Sequence, residues 1–376
     1  MKKIFALILC ILLVIFSNIC CAAEEISTSA KAAIVISADS NDIIYAKNIN
    51  TRLSMASTTK IMTSLILAEQ KDLSKTVKIT EQMVRVEGSS MGLSIGDTVT
   101  YLDLLYGMLL ASGNDAANTT AYVLGGSPEG FAKLMNEKAK QIGLKNTNFV
   151  TPSGLDDDNH YSTAYDMAIL TAFALKNPIF KQVCSTYTKT LEFGNPAIKR
   201  TYQNHNRLLK DYEGMIGVKT GFTKKSGRCL VTAAERDGCT LIAVTLSDPN
   251  DWEDHERMLN FGFERVEPVT VSPEVPESIK VISGDCDSVK ITAESKSFTV
   301  SQSSTDKIET RIFLPKFIYS EISAGQTVGK VEYYLNDKII GTGDIISLAD
   351  VYLKNDKLPL KERFIENLRK ILRLVI

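Results

Sequence analysis

The sequence predicts an α/β chain: an antiparallel sheet flanked by helices and interrupted by an all-helical insertion, then a small all-β domain and a C-terminal amphipathic helix. Three observations carry this reading. A β-branched hairpin pattern occupies residues 32–47, helical periodicity dominates from Ser57 to Leu175, and strand signals return from Ile216 to Leu246. Strand, helices and strands returning to one sheet is the order of an α/β domain with an inserted helical subdomain.

Taken in order, Ala32-Ala-Ile-Val-Ile-Ser and Ile43-Ile-Tyr-Ala flank the turn formers Asp39-Ser-Asn-Asp42. Helices are expected over Ser57–Leu73, Tyr101–Leu110, Ala116–Leu124, Glu129–Ile142 and Ala164–Leu175, the second and third joined by Ala111-Ser-Gly-Asn-Asp115. Within the returning strands, Arg236-Asp237-Gly238 marks a hairpin turn, and Trp252–Phe263 reads as the closing helix. Pro268, Pro273 and Pro276 mark a linker, after which short alternating runs from Ser288 to Gly343 indicate the β domain. At the end, Leu360, Phe364, Ile365, Leu368, Ile371, Leu372 and Val375 recur at helical spacing, with Lys361, Arg363, Arg369, Lys370 and Arg373 around the rest of the turn. That pattern suits a helix lying in a membrane interface, Leu358–Ile376, tethered by the polar Lys354–Lys357. The expected divisions are 1–23, 24–265, 266–347 and 348–376.

Residues 1–23 read as a secretory signal peptide, because Lys2-Lys3 precedes the apolar run Ile4–Phe16 and the small residues Ala22-Ala23. Those 13 apolar residues fall short of the roughly 20 needed to cross a bilayer core. The chain of 376 residues carries 43 Lys+Arg against 44 Asp+Glu, so no basic excess draws it to nucleic acid. Removing the leader leaves 41 against 44, a charge of −3, and four of seven cysteines: Cys184, Cys229, Cys239 and Cys286. With the tight turn after Arg236, Cys229 is expected opposite Thr245–Leu246, on the order of 20 Å along the strand from Cys239, so no bridge joins those two.

An exported enzyme cannot count on ATP or reduced nicotinamide, which favours hydrolysis or transfer on an external polymer and implies no cofactor. The three histidines, His160, His205 and His255, form no i, i+4 pair and no Cys-x-x-Cys occurs, so no metal site is expected. Gly88-Ser-Ser90-Met-Gly92 satisfies G-x-S-x-G, but the strand before and helix after that a nucleophile elbow needs are missing. Ser57-Thr-Thr-Lys60 places a hydroxyl and an amine three residues apart on one helix face, where first-turn N–H groups favour negative charge. Alone, such a serine is usually a helix cap.

Ser112-Gly-Asn114 at a helix junction and Lys219-Thr220-Gly221 in a Gly-flanked strand complete, in order, a set that resembles the S-x-x-K, S-x-N and K-T-G motifs of penicillin-recognising serine enzymes. The chain looks most like the serine D-alanyl-D-alanine carboxypeptidases, low-molecular-mass penicillin-binding proteins with a β-lactamase/transpeptidase-like catalytic domain. Gly88-Ser-Ser-Met, Thr151-Pro-Ser-Gly-Leu and His160-Tyr-Ser-Thr-Ala-Tyr-Asp-Met-Ala support the likeness. The resemblance implies Ser57 as nucleophile, Lys60 as its base, Ser112 as proton carrier to the leaving amine, and Asn114 bonding the substrate backbone and holding Lys60. Lys219 supplies charge, Thr220 binds the terminal carboxylate, Gly221 leaves room for substrate, and the N–H groups of Ser57 and Phe222 form an oxyanion hole.

It further implies peptidoglycan stem peptides as substrate, β-lactams as covalent inhibitors, and a bacterial location on the outer face of the cytoplasmic membrane. Where some members carry an arginine, this chain has His205 and the pair Asp251-Trp252, so Arg207 or Arg228 is the candidate replacement. A serine β-lactamase, with a group that activates the deacylating water, and a non-catalytic penicillin sensor or wall-binding module are the alternatives.

Overall fold

The computed structural model describes residues 26–354 and 360–375. The expected leader, with Cys10, Cys20 and Cys21, lies outside them, as do residues 355–357 of the expected tether and residues 358, 359 and 376 of the expected terminal helix.

β1 (Ala32–Ser37) is buried along its whole length because β2 (Ile43–Lys47) and a later strand cover its edges and helices cover both faces. A 3-10 turn, Ala56–Thr59, leads into α1 (Lys60–Ala68), followed by the short β3 (Thr76–Lys78), α2 (Glu81–Val84) and β4 (Thr98–Thr100). The insertion continues with α3 (Tyr101–Leu109), α4 (Asn114–Gly125), α5 (Pro128–Ile142), α6 (Ala164–Leu175) and α7 (Pro178–Cys184). Thr100 and Asp103 cap α3 reciprocally, each side chain accepting the other's backbone N–H at 3.0 and 2.9 Å. Two elements absent from the sequence reading come next, the hairpin of β5 (Thr188–Gly194) and β6 (Ala197–Gln203), and the turn α8 (Leu208–Asp211).

β7 (Met215–Thr223), β8 (Gly227–Arg236) and β9 (Cys239–Leu246) complete an antiparallel sheet of order β2-β1-β9-β8-β7. Asp237 and Gly238 take φ of 50° and 77°, the left-handed pair that a two-residue hairpin requires. Cys229 consequently faces Leu246, and all four described cysteines are free. Burial raises the thiols of Cys184 and Cys229 to about 12 and about 11, which keeps both protonated and inert.

Alternation along β1 divides two cores: Ile34 and Ile36 pack with the helical insertion, whereas Ala33 and Val35 pack against α9 (Asp251–Phe263). His255 on α9 sits wholly buried between the Thr232 and Thr245 hydroxyls, and burial lowers it to about 3, the signature of a neutral core histidine.

The proline-marked segment is only partly a linker. Pro268 belongs to β10 (Val266–Val271), opposite Thr299 of a later strand, and residues 272–277 form no strand. Beyond it lie β11 (Ser278–Ile282), β12 (Ser288–Ala293), β13 (Lys296–Ser301), β14 (Ile308–Phe313), β15 (Phe317–Tyr319), β16 (Thr327–Leu335) and β17 (Lys338–Ser347). They make a β10-β13 ribbon and a sheet of order β14-β16-β17-β12-β11-β15 around Phe298, Val300, Val331, Tyr333 and Ile345. The turn between β1 and β2 docks on β13: Asp39 and Asp42 each accept a backbone N–H, from Thr299 and Ser301, at 2.8 Å. The last helix, α10 (Leu360–Val375), completes the described chain.

Candidate active site

The serine expected at the first turn of a long helix sits one step earlier. Ser57 lies in the 3-10 turn, α1 begins at Lys60, and the helix ends at Ala68 rather than Leu73. The three-residue spacing still brings the groups together: Lys60 Nζ is 2.9 Å from Ser57 Oγ. The amine also donates to Asn114 Oδ1 at 2.7 Å and to the Ser153 carbonyl at 2.8 Å. Lys60 is wholly buried, and burial, followed by the positive charge of Lys219, pushes its pKa well below the ordinary lysine value, with Asp115 opposing.

The Ser153 carbonyl arrives on the loop from Thr151 to Leu155. At Gly154, with φ of 88°, a Cβ would stand 1.9 Å from the Ala56 carbonyl oxygen, so only glycine lets this loop reach the 3-10 turn. His160 fastens the same contact. Its Nδ1 accepts the Val150 N–H at 2.9 Å, which assigns the proton to Nε2 and makes it donor to Thr59 Oγ1 at 2.8 Å. Burial lowers His160 to about 4, so the ring stays neutral.

Ser112, in the left-handed region at φ 56°, turns the chain between α3 and α4 and is buried. Lys219 on β7 donates to its hydroxyl at 3.0 Å and to the Thr220 carbonyl at 2.9 Å, and burial lowers the Lys219 amine to about 7. Asn114 is held from both ends, its N–H on the Ser89 carbonyl and its Nδ2 on the Glu87 carbonyl, both at 2.7 Å. Next to it, the buried Asp115 carboxylate gathers Ser90 Oγ at 2.5 Å and the N–H groups of Met91, Gly92 and Leu93 at 2.9–3.1 Å. Ser90 is thus a loop anchor in a segment with no preceding strand, consistent with setting the elbow motif aside.

β7 is the free edge of the main sheet and abuts the 3-10 turn. At Gly221 a Cβ would meet Ser57 N at 3.0 Å and Thr58 N at 3.1 Å. The space this glycine preserves is therefore for the Ser57 backbone, whereas the sequence reading assigned it to substrate. Thr220 and the largely exposed Phe222 line the same cavity of about 310 Å³ as Ser57 and Ser112. All eight expected residues thus converge.

The cavity is completed by Ser89, His205, Arg228, Asp251 and Trp252. Arg228 donates from Nε to the buried Asp251 at 2.9 Å and lies 5.6 Å from the centroid of the Trp252 ring. Arg207 sits 5.2 Å from the same ring but does not line the cavity. Burial, then the charges of Lys219 and Lys60, lowers the pKa of His205. The sequence reading places Ser153 only within the supporting segment Thr151–Leu155 and Asp115 only at the end of a helix junction, and gives neither a role; the contribution of Ser153 is a backbone carbonyl. For Asp115, an acidic residue directly after Asn114 at a helix start was the available signal. Among the described residues no cluster of His, Cys, Asp or Glu is arranged to hold a metal ion.

Residues 20–250 match the family model described as D-alanyl-D-alanine carboxypeptidase, and residues 263–356 match that of the penicillin-binding protein 5 C-terminal domain. The chain is 33% identical over 340 residues to the D-alanyl-D-alanine carboxypeptidase DacF of Bacillus subtilis, covering 87% of each. It is 32% identical over 350 residues to DacC of Escherichia coli, covering 87% of this chain and 86% of that one. Among solved structures, penicillin-binding protein 5 of Haemophilus influenzae superposes with a TM-score of 0.67 at 31% identity, over 87% of this chain and 99% of that one. The Streptomyces K15 DD-transpeptidase gives 0.61 at 33% identity, over 64% and 99%. Motif order, site geometry and these matches agree, and the chain belongs to the D-alanyl-D-alanine carboxypeptidase family.

Proposed function

We propose that this serine peptidase removes the terminal D-alanine of peptidoglycan stem pentapeptides through an acyl-enzyme on Ser57, the same serine that β-lactams acylate. The observation that carries the reading is the placement of Lys60. Its two pure acceptors, Asn114 Oδ1 and the Ser153 carbonyl, satisfy both N–H groups of a neutral amine and leave the lone pair for the Ser57 hydroxyl 2.9 Å away. Burial and the Lys219 charge favour that neutral form.

In acylation, Lys60 takes the Ser57 proton while Oγ attacks the penultimate D-alanine carbonyl. The oxyanion is met by the N–H groups of Ser57 and Phe222, a kind of contact worth ~3–4 kcal/mol per donor. Collapse breaks the peptide bond, and the proton taken by Lys60 passes through the Ser112 hydroxyl, which Lys219 holds, to the departing amine. Asn114 orients Lys60 and the peptide backbone, and Thr220 meets the substrate's terminal carboxylate. Water then cleaves the ester. The protein acts on the outer face of a bacterial cytoplasmic membrane after export, docked through α10.

Fluorescent penicillin tests the chemistry. The wild-type protein acquires a covalent label that survives denaturation and persists for many minutes, and Ser57→Ala acquires none. Label retained by Ser57→Ala overturns the assignment, and rapid loss of label from the wild type makes the protein a β-lactamase instead.

A further inference from the structure

A peptidase that removes only the last residue of a chain must recognise a free carboxylate, and a carboxylate is best held by a permanently charged donor. Four basic groups stand at the cleft, beside the Asp251 carboxylate that Arg228 already engages. Lys60 is saturated by Asn114, Ser153 and Ser57. Lys219 is wholly buried, already donates to Ser112 Oγ and the Thr220 carbonyl, and with a pKa of about 7 is only partly charged at neutral pH. His205 is held toward its neutral form by burial and by both lysines.

Arg228 differs from all three. A guanidinium keeps its charge throughout the working range. It lines the cavity with Ser57 and Thr220 and is half-exposed, so binding an anion requires no burial of an unpaired charge. Its orientation is fixed beforehand: Nε donates to Asp251, whose Oδ1 also accepts the Trp252 N–H at 3.0 Å, and Trp252 underlies the fork. Asp251 engages only Nε, leaving the two Nη groups for a ligand. Arg207, packed on the same ring, supports the tryptophan from outside the cavity.

We propose that Arg228, braced by Asp251 and Trp252, is the residue that grips the free carboxylate of the substrate, together with the Thr220 hydroxyl, and thereby restricts the enzyme to chain termini. This deepens the proposed function and rests on it.

The test compares acylation of the full chain by a penicillin bearing its free carboxylate and by the methyl ester of the same penicillin. The wild type prefers the acid. In Arg228→Gln that preference falls about tenfold to a hundredfold, the range of a lost charge-assisted hydrogen bond, through a slower reaction with the acid at an unchanged rate on the ester. The ester rate also reports a correctly folded site. An unchanged preference, or equal slowing with both compounds, overturns the proposal. In the wild type the preference also holds from about pH 6 to about pH 9, through the Lys219 titration. A preference that collapses above about pH 7 assigns the grip to Lys219 and overturns the proposal as well. Failure of Ser57→Ala to abolish labelling is a separate result, and it removes the underlying reading instead.

Discussion

At the scale of single residues, the site works by placing two lysines where neither is comfortably charged. Lys219 and Lys60 are both wholly buried; burial lowers both amines, and the Lys219 charge further disfavours protonation of Lys60. The consequence has a definite sign. Lys60 must be unprotonated to accept the Ser57 proton, so acylation by a β-lactam declines as pH falls through its lowered pKa. In Lys219→Met the repelling charge is gone, the Lys60 pKa rises, and the acid limb of the acylation profile moves to higher pH. Stopped-flow acylation across pH reads this directly, and a limb that stays put or moves toward acid refutes the coupling. Ser57, Lys60, Ser112, Asn114 and Lys219 were legible in the sequence because three short side-chain motifs, each common alone, occur in the order that resembles the penicillin-recognising serine enzymes. Ser153 was not, because any residue supplies the same carbonyl. Arg228 was legible only as one of two options, since nothing in the sequence distinguishes the arginine lining a cavity from the one behind the tryptophan.

At the scale of elements, catalytic geometry depends on how closely backbones approach around the 3-10 turn. Gly154 and Gly221 both face that turn, from the Thr151–Leu155 loop and from β7. Gly154→Ala meets two penalties, a Cβ 1.9 Å from the Ala56 carbonyl oxygen and a left-handed φ. It is expected to destabilise the protein by about 2–4 kcal/mol and to slow acylation as the Ser153 carbonyl retreats from Lys60. Gly143→Ala is the control, with φ of 89° but nothing within 4 Å of its Cβ. It carries the backbone cost alone, and penicillin labelling is unchanged. Equal acylation rates in the two variants would rule out a role for the close approach. The elements legible in advance were those whose pattern matched their burial. α6 was expected at its observed bounds, Ala164–Leu175, and β7, β8 and β9 followed from β-branched runs and the Asp237-Gly238 turn. The β5–β6 hairpin escaped because most of its residues face solvent, leaving only Leu191 and Phe193 as buried apolar positions in β5 and none in β6. β10 escaped because Pro268 reads as a break, although a strand in a two-stranded ribbon tolerates it.

At the scale of the whole molecule, the terminal helix leaves an apolar arc uncovered. At 100° per residue, Phe364, Ile365, Leu368 and Leu372 share one arc, and these side chains are 66%, 41%, 46% and 53% exposed. Two polar side chains of the helix reach the β domain: Asn367 Nδ2 donates to Ser283 Oγ at 2.7 Å, and Lys370 lies 3.8 Å from Asp287. Lys361, Glu362, Glu366, Arg369 and Arg373 are exposed as well, so the helix offers an uncovered apolar arc flanked by charged side chains, a pattern that suits a membrane interface. No described helix is long and apolar enough to cross a membrane. The Asp39 and Asp42 contacts to β13 join the main sheet to the β domain. Replacing Leu368 and Leu372 by glutamate keeps the polar contacts of Asn367 and Lys370 while removing two exposed apolar side chains. At about 1.5–3 kcal/mol each, that loss lowers partitioning onto anionic lipid vesicles by more than a hundredfold in co-sedimentation, as does deletion of residues 358–376. Both variants still label with fluorescent penicillin in solution, because no residue of α10 lines the cleft. Vesicle binding that survives both changes would mean that α10 is not the membrane contact.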